Sequence, residues 1–252
     1  MDITGNTIFI PGATSGIGLA LAHALKDRGN TVIVGGRRTE LLEKLAADGL
    51  ETVRIDTADA DSVQAAAKDV IARFPSVNVL IAMAGIMRVE DWHQPSTFLE
   101  SAEGIINTNV LGPIRLIAGF VEHFQTLPDA TIMTVSSGLA FAPLKVTPSY
   151  NASKAAIHML SESLRLQLAD TSVKIVELEP PSVQTDLLPG HAENEHARPL
   201  AEYIADIVNI IETQPDVREI QDERVKFLRY AEARGDYDKV VAILNATDPH
   251  GD

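Results

Sequence analysis

The chain has 252 residues, of which 45% are hydrophobic and 22% charged, a formal net charge of −14 and no cysteine. The missing cysteines exclude disulfides, a thiolate nucleophile and thiolate metal sites. The acidic surplus argues against binding to nucleic acid or to an anionic membrane, because both need a basic face. The N-terminus lacks a signal-peptide pattern and no stretch approaches the roughly 20 apolar residues of a spanning helix, which favours a cytoplasmic protein.

Short runs rich in valine and isoleucine alternate with amphipathic stretches along most of the chain. Because these runs are apolar on both faces, they suit parallel strands that helices cover on both sides. The alternation predicts one α/β domain over residues 1–252, with a Rossmann-type doubly wound sheet of strand order 3-2-1-4-5-6. The predicted strands are Thr7–Ile10, Thr31–Val34, Thr52–Ile55, Val77–Ala82, Thr131–Val135 and Val173–Leu178.

A glycine-rich turn follows the first predicted strand and opens the first predicted helix. Glycine allows a tight turn close to a pyrophosphate, and the first N–H groups of the helix can then bind the anion. The alternative is a connector that needs glycine only for close packing of the strand and the helix. The predicted phosphate cradle consists of Gly12, Thr14, Ser15, Gly16, Ile17 and Gly18.

The end of the second predicted strand distinguishes between two nicotinamide cofactors. NAD-binding folds usually place an acid there, whereas this chain has Arg37 and Arg38. Two guanidiniums suit a 2′-phosphate, so we favour NADP(H) over NAD(H). A solvated basic pair at the start of a helix is the alternative interpretation.

Tyr150 and Lys154 lie four residues apart in a predicted helix, which puts them on one face a turn apart. A tyrosine acting as a base near neutral pH needs a pKa well below about 10, and a nearby ammonium together with an oxidised nicotinamide can lower it. The spacing also occurs by chance in ordinary helices. The Tyr150–Lys154 pair is a stronger indication of a site here, because it follows a strand whose carboxyl end carries Ser137. The Ser137 hydroxyl can bind the same substrate oxygen as Tyr150.

Between about Asn6 and Leu188 the chain resembles the short-chain dehydrogenase/reductase family. The resemblance rests on the glycine turn, Asp56, Ala84-Gly85, Asn109, Ser137, Tyr150-x-x-x-Lys154 and the segment Pro180–Thr185. It implies hydride transfer, without a metal, between NADP(H) and a small carbonyl or alcohol substrate. The implied catalytic set is Asn109, Ser137, Tyr150 and Lys154.

The resemblance also implies how the cofactor is held. Lys154 is expected to hold the nicotinamide ribose, and Asn109 to anchor a water molecule in a proton relay. The other implied contacts are Asp56 and Thr57 with the adenine, Ala84 and Gly85 with the ribose, and Pro180, Val183 and Thr185 around the nicotinamide.

Three departures from the family pattern stand out. Pro11 replaces a threonine, which removes a hydroxyl and an N–H, and Met83 replaces an asparagine, so that a strand-linking hydrogen bond is expected to be lost. The usual last strand is not recognisable, and a helical tail over about residues 220–247, with two helices joined near Gly235, is predicted in its place. With Glu177–Pro181, this tail resembles the branch named for an oxidoreductase associated with lipoteichoic acid D-alanylation.

Several alternatives remain open at this level. The polar segment between Pro189 and Pro199 predicts a lid loop rather than a metal site at His191 and His196. The resemblance implies a homodimer through the helices that carry Asn109 and Tyr150, with a tetramer less secure. A nucleotide-sensing or scaffold protein on the same fold is the competing function, and an isomerase or dehydratase is a third.

Overall fold

The computed structural model describes residues 1–246, so that Thr247, the last residue of the predicted tail, lies outside the described residues. Seven parallel strands form one sheet in the order β3-β2-β1-β4-β5-β6-β7. The strands are β1 Thr7–Pro11, β2 Thr31–Gly36, β3 Glu51–Arg54, β4 Val77–Ala82, β5 Ala130–Val135, β6 Val173–Glu179 and β7 Glu219–Gln221.

Helices connect the strands and cover both faces of the sheet. In chain order they are α1 Gly16–Lys26, α2 Thr39–Ala47, α3 Ala60–Arg73, α4 Pro95–Ile106, α5 Gly112–Gln125, α6 Pro148–Gln167, α7 Leu200–Thr213, α8 Val225–Arg229, α9 Ala231–Arg234 and α10 Tyr237–Leu244. A π turn, Asn107–Leu111, joins α4 to α5, and a 3-10 turn, Gly138–Ala140, follows β5.

Alternate residues of the strands supply two separate cores. On β1, Ile8 and Ile10 pack with Tyr203 of α7 on one face, whereas Phe9 packs with Phe120 of α5 on the other. Both faces of the strands are therefore buried, as their continuous apolar sequences require. The predicted doubly wound Rossmann-type sheet is confirmed, with one strand more than expected.

The added strand corrects the prediction that the last strand is missing. β7 has three residues, and its Ile220 lies opposite Leu178 of β6. So short an edge strand carries one apolar residue between two polar ones, which is too little for a sequence pattern to mark. The tail after it forms three short helices rather than two, since the first predicted helix is interrupted at Tyr230 and Gly235, with φ +78°, ends α9.

The tail packs over the segment that follows β5. Asn245 Oδ1 accepts a hydrogen bond from Lys145 N at 2.7 Å, and its Nδ2 donates to Pro143 O at 3.0 Å. Leu228 of α8 approaches Gly138 so closely that a Cβ there would lie 2.9 Å from its Cδ1. The tail therefore supports the loop that begins at Ser137.

The helical run Pro95–Gln125 has 31 residues, and an 18-residue window within it has a mean hydropathy of 1.3, so the run is long and apolar enough to cross a bilayer by length and composition. The expectation that no stretch reaches that level was therefore wrong. Leu116, Phe120 and Phe124 of this run are buried in the core beneath the sheet. Its apolar composition is that of a core helix.

Candidate active site

The turn between β1 and α1 is built around two glycines with positive φ. Gly12, at φ +90°, donates its N–H to Gly35 O at 2.8 Å, and a Cβ on it would lie 2.5 Å from the Cα of Ala84. Gly16, at φ +58°, begins α1 beside Thr185. Gly12 is thus required by packing between two strand ends, whereas Gly16 shapes the start of the helix.

The start of α1 offers donors for an anion. Its N-cap residue, Ser15, makes no side-chain capping hydrogen bond, and its first turn has no acidic residue. Arg38 Nη2 donates to Thr14 Oγ1 at 2.9 Å, which brings a guanidinium to the same turn. Helix N–H groups, hydroxyls and a guanidinium fit a pyrophosphate with a further phosphate beside it.

Arg37 and the groups expected around the adenine lie at the neighbouring strand ends. Arg37 Nη1 is 4.0 Å from Asp56 Oδ2, and both side chains are exposed. Asp56 Oδ1 accepts a hydrogen bond from Ala58 N, while Thr57 is buried beside Gly112. The structure therefore brings the predicted adenine-side residues to the same sheet edge as the glycine turn.

Tyr150 and Lys154 lie in the first two turns of α6, with both side chains buried. Lys154 Nζ is 5.4 Å from the centroid of the Tyr150 ring and donates a hydrogen bond to Val135 O at 2.8 Å. Ser137, at the carboxyl end of β5, accepts a hydrogen bond from Leu139 N at 3.2 Å. The predicted hydroxyl, phenol and ammonium are thus together at the carboxyl edge of the sheet.

Burial shifts the pKa of both members of this pair in the protein alone. Burial raises the pKa of Tyr150 to about 12, and a hydrogen bond with the Ser137 side chain works in the opposite direction. Burial also lowers the pKa of Lys154 to about 8. The protein by itself therefore keeps the phenol protonated at neutral pH, because burial outweighs the hydrogen bond with Ser137.

Asn109 lies in the π turn between α4 and α5 and is almost completely buried. Its Oδ1 accepts from Ile86 N at 2.8 Å, and its Nδ2 donates to Ile86 O at 2.8 Å and to Ser153 Oγ at 3.1 Å. The side chain thereby joins the loop after β4 to α6. A Cβ on Gly85 would lie 3.5 Å from Asn109 Oδ1 and 3.8 Å from Lys154 Nζ, which places Ala84-Gly85 next to both.

The segment after β6 meets the same edge. Pro180 O accepts a hydrogen bond from Gly138 N at 3.0 Å, and the Thr185 side chain lies beside Gly16. Val183 is buried and forms a β-bridge with Arg198, which closes the segment between them into a loop. Ser182 directly precedes this loop, and its Oγ is 3.0 Å from Nε2 of His191 within the loop. The role of this loop as a lid stays a prediction.

The two departures near the cradle have clear positions. Pro11 is the last residue of β1 and lies opposite Gly35 of β2. Met83 packs toward α1, where its Cγ would be 2.9 Å from a Cβ on Gly18. Both residues therefore belong to the scaffold around the glycine turn and not to the phenol–ammonium pair.

Two buried acidic groups were missed by the sequence analysis. Glu90, in the loop after β4, accepts three hydrogen bonds, one of them from the backbone of α6. Glu179 of β6 lies in a group with His158, Glu177 and Glu219, whose nearest ligand-type atoms are all within 4.8 Å of one another. Arg165 and Arg229 pair with carboxylates of this group, so it is an ion-pair network with its cations already supplied by the chain.

Comparison with known proteins identifies the family. The short chain dehydrogenase family model matches residues 6–196. An uncharacterized oxidoreductase of Bacillus subtilis, DltE, is 36% identical over 98% of this chain and all of its own length. A short chain dehydrogenase from Burkholderia cenocepacia, solved in complex with NADP, is 25% identical, with a TM-score of 0.80 over 97% of this chain and 99% of its own.

A second solved structure supports the fold alone. The 3-ketoacyl-(acyl-carrier-protein) reductase of Brucella melitensis, complexed with NADH, is 20% identical, with a TM-score of 0.78 over 89% of this chain and all of its own. The matched residues include the glycine turn, Ser137, Tyr150 and Lys154. This chain belongs to the short-chain dehydrogenase/reductase family and is an oxidoreductase with a nucleotide-binding Rossmann fold.

Proposed function

We propose that the protein transfers a hydride between NADP(H) and the carbonyl or alcohol carbon of a small molecule, with Tyr150 as the general acid/base. The observation that carries this proposal is the convergence of Ser137, Tyr150 and Lys154 at the carboxyl edge of the sheet, where open α/β sheets bind ligands. A bound nicotinamide supplies or accepts the hydride.

The residues divide the work of proton transfer. In reduction, the Tyr150 hydroxyl gives its proton to the substrate oxygen, and Ser137 donates a hydrogen bond that stabilises the developing negative charge. The Lys154 ammonium stabilises the resulting phenolate, because it lies 5.4 Å from the ring. The raised pKa of the buried phenol keeps it protonated at neutral pH, so that a proton is available to the substrate oxygen. Reduction is therefore the direction we favour at neutral pH.

The preference for NADP(H) rests on Arg38 and Arg37. Arg38 reaches the glycine turn and Arg37 faces Asp56, so both can meet a 2′-phosphate on the adenine-side ribose. Arg38→Ala is expected to weaken NADPH binding about tenfold and to change NADH binding little, as measured by nucleotide fluorescence. Lys68→Ala, on the exposed face of α3, is the control. Equal losses for both nucleotides would contradict the assignment.

The activity itself is tested by following the absorbance of reduced nicotinamide over a panel of aldehydes, ketones and alcohols. Tyr150→Phe is expected to reduce turnover about 10²–10⁴-fold while NADPH binding persists, because only the acid/base is lost. Tyr237→Phe, in the exposed tail, is the matched control. NADPH binding without turnover on any compound, and no effect of Tyr150→Phe, would favour a nucleotide sensor or scaffold.

We further propose a cytoplasmic homodimer that pairs through the helices carrying Asn109 and Tyr150. Large apolar side chains are exposed along these helices: Leu111, Ile114, Met159 and Leu166. Exposed apolar side chains on these helices favour association. Light scattering at micromolar concentration is expected to give a dimer, and Leu166→Glu with Met159→Glu is expected to give a monomer. A wild-type monomer would contradict this proposal.

A further inference from the structure

Glu90 is a buried carboxylate in the loop between β4 and α4. Its side chain is 8% exposed, and three groups from different parts of the chain donate hydrogen bonds to it. Oε2 accepts from Trp92 Nε1 at 3.0 Å and from Ser149 N at 3.1 Å, and Oε1 accepts from Ser101 Oγ at 2.8 Å. Glu90 N donates to Val146 O at 2.9 Å, which makes a second link to the chain before α6.

Helix α6 has no side-chain cap of its own. Its N-cap residue, Thr147, makes no capping hydrogen bond. The single hydroxyl hydrogen of Thr147 is shared instead between Leu144 O at 3.5 Å and Asn151 Oδ1 at 3.2 Å. The first helical residue is Pro148, which has no N–H. The first available donor of the helix is therefore Ser149 N, and the carboxylate of Glu90, 59 residues earlier in the chain, accepts from it.

A carboxylate at this position is favourable for two reasons. It satisfies a backbone donor that has no partner within the helix, and its charge complements the positive end of the helix dipole. Burial alone raises the pKa of Glu90, but the hydrogen bonds from Trp92, Ser101 and Ser149 outweigh burial and bring the pKa below its ordinary value. The group is therefore an anion at neutral pH.

We propose that Glu90 is a positioning residue that holds the first turn of α6 so that the phenol of Tyr150 stays buried against Ser137. Ser149, whose N–H Glu90 binds, directly precedes Tyr150. The two backbone links from Glu90, to Val146 and Ser149, fix the entry of the helix on both sides of Pro148. This inference rests on the proposed role of Tyr150.

Two substitutions separate the shape of Glu90 from its hydrogen bonds. Glu90→Ala removes the acceptor for all three donors, whereas Glu90→Gln keeps an oxygen for Ser149 N and lets the Ser101 hydroxyl reorient. Ser101→Ala is the matched control, because it removes one donor to Glu90 on α4 and leaves both links to α6. A role in holding α6 predicts a graded effect, with Glu90→Ala the largest and Ser101→Ala the smallest.

The first readout is titration of the Tyr150 phenol by near-ultraviolet difference absorbance, each variant being compared with its own Tyr150→Phe version. In the wild type the phenol is expected to stay neutral up to about pH 11, given its raised pKa. In Glu90→Ala the freed turn admits water, so the phenol pKa falls toward about 10. This readout needs no turnover, so it tests Glu90 even if the proposed function fails.

The second readout is kinetic. Glu90→Ala is expected to lower kcat about 10- to 100-fold with little change in NADPH affinity, because the glycine turn and Arg38 are untouched. Glu90→Gln is expected to recover most of the loss. A phenol titration and kcat equal to wild type in a folded Glu90→Ala would overturn the proposal. If Glu90→Ala does not fold, Glu90→Asp decides, because its shorter side chain draws the carboxylate away from Ser149 N. An unshifted phenol pKa and an unchanged kcat in Glu90→Asp would overturn the proposal equally.

Discussion

Helix α6 connects two buried acidic regions in which the pKa of a carboxylate is shifted in opposite directions. At its start, Glu90 is surrounded by neutral donors, and hydrogen bonds bring its pKa below the ordinary value despite burial. Two turns beyond Tyr150, His158 contacts the region around Glu179, where burial and the charges of Glu177 and Glu219 raise the pKa of Glu179 to about 8. One region keeps a permanent negative charge and the other keeps a proton.

The difference lies in what surrounds each carboxylate. Both oxygens of Glu90 accept hydrogen bonds, and none of its partners carries a charge. Glu179 Oε2 accepts from Gln221 Nε2 at 3.0 Å and lies 3.7 Å from Arg229 Nε, but Glu179 Oε1 has no hydrogen-bond partner among residues 1–246. Neutral donors thus stabilise a lone buried anion better than an imperfectly placed cation among like charges does.

The largest effect is expected from removing the cation of the second region. Arg229→Met leaves Glu179 and Glu219 without their guanidinium while the methionine keeps apolar contact with Phe141, over which Arg229 stacks at 4.3 Å. We expect a loss of about 3 kcal/mol in the free energy of unfolding by urea above pH 8, because a partly buried charge pair is broken. Lys226→Met, on the same helix, is the control.

The control isolates burial as the cause. Lys226 pairs with Glu223 in an ion pair whose side chains are largely exposed, so its loss is expected to cost at most about 0.5 kcal/mol. Equal losses for the two variants would show that the region around Glu179 is no more sensitive than the protein surface. The contrast between the two ends of α6 would then be wrong.

Much of the fold was predictable because its signals are local. The six predicted strands lie within or at the edges of six of the seven observed ones, since each is a short run rich in β-branched residues. The glycine turn and the Tyr150–Lys154 spacing were also visible, because a turn or one helical face brings those residues together. β7 was missed because a three-residue edge strand depends on pairing with β6 rather than on its own sequence.

The two acidic regions could not be predicted for the same physical reason. Glu90 meets Ser149 across 59 residues, and Gln221 meets Glu179 across 42, so neither contact has a local spacing. The pKa shift of Tyr150 in the protein alone could not be predicted, because its neighbour Lys154 is visible in the sequence and its burial is not. Burial decides the sign of the shift in this protein.

The next largest effect is expected on the pH dependence of stability, which Glu179 and Glu90 should change in opposite directions. Because the folded-state pKa of Glu179 lies above its ordinary value of 4.5, the native state holds an extra proton and stability falls as pH rises from about 4.5 to 8. Glu179→Gln removes this loss, so the variant is expected to be more stable than wild type by about 2 kcal/mol above pH 8. The gain should vanish near pH 5.

Glu90→Gln is expected to behave in the opposite sense. The folded-state pKa of Glu90 is lowered, so its contribution to stability is present above its ordinary pKa and is lost as pH falls through the folded value. We expect Glu90→Gln to cost about 1 kcal/mol at neutral pH and almost nothing in acid. Urea unfolding of both variants between pH 4 and pH 9 measures the two curves, and parallel curves would refute the comparison.

The smallest losses of stability are expected from removing single hydrogen bonds, one donated to an anion and one donated to a neutral amide. Trp92→Phe removes the donor to Glu90 and keeps an aromatic ring against Phe98, with which Trp92 stacks at 4.4 Å. Tyr230→Phe removes the hydroxyl that donates to Gln221 Oε1 at 2.8 Å. Both side chains are partly exposed, so we expect losses of about 1 kcal/mol and about 0.5 kcal/mol.

Measurements at low pH separate the effect of the Glu90 charge on stability from the effect of the size of the aromatic ring. The cost of replacing indole by phenyl does not change with pH, whereas the bond to Glu90 weakens once that carboxylate is protonated. The loss in Trp92→Phe should therefore shrink at low pH, while the loss in Tyr230→Phe should stay constant. A loss in Trp92→Phe that is the same at neutral and acid pH would mean that the anion gains nothing from this donor.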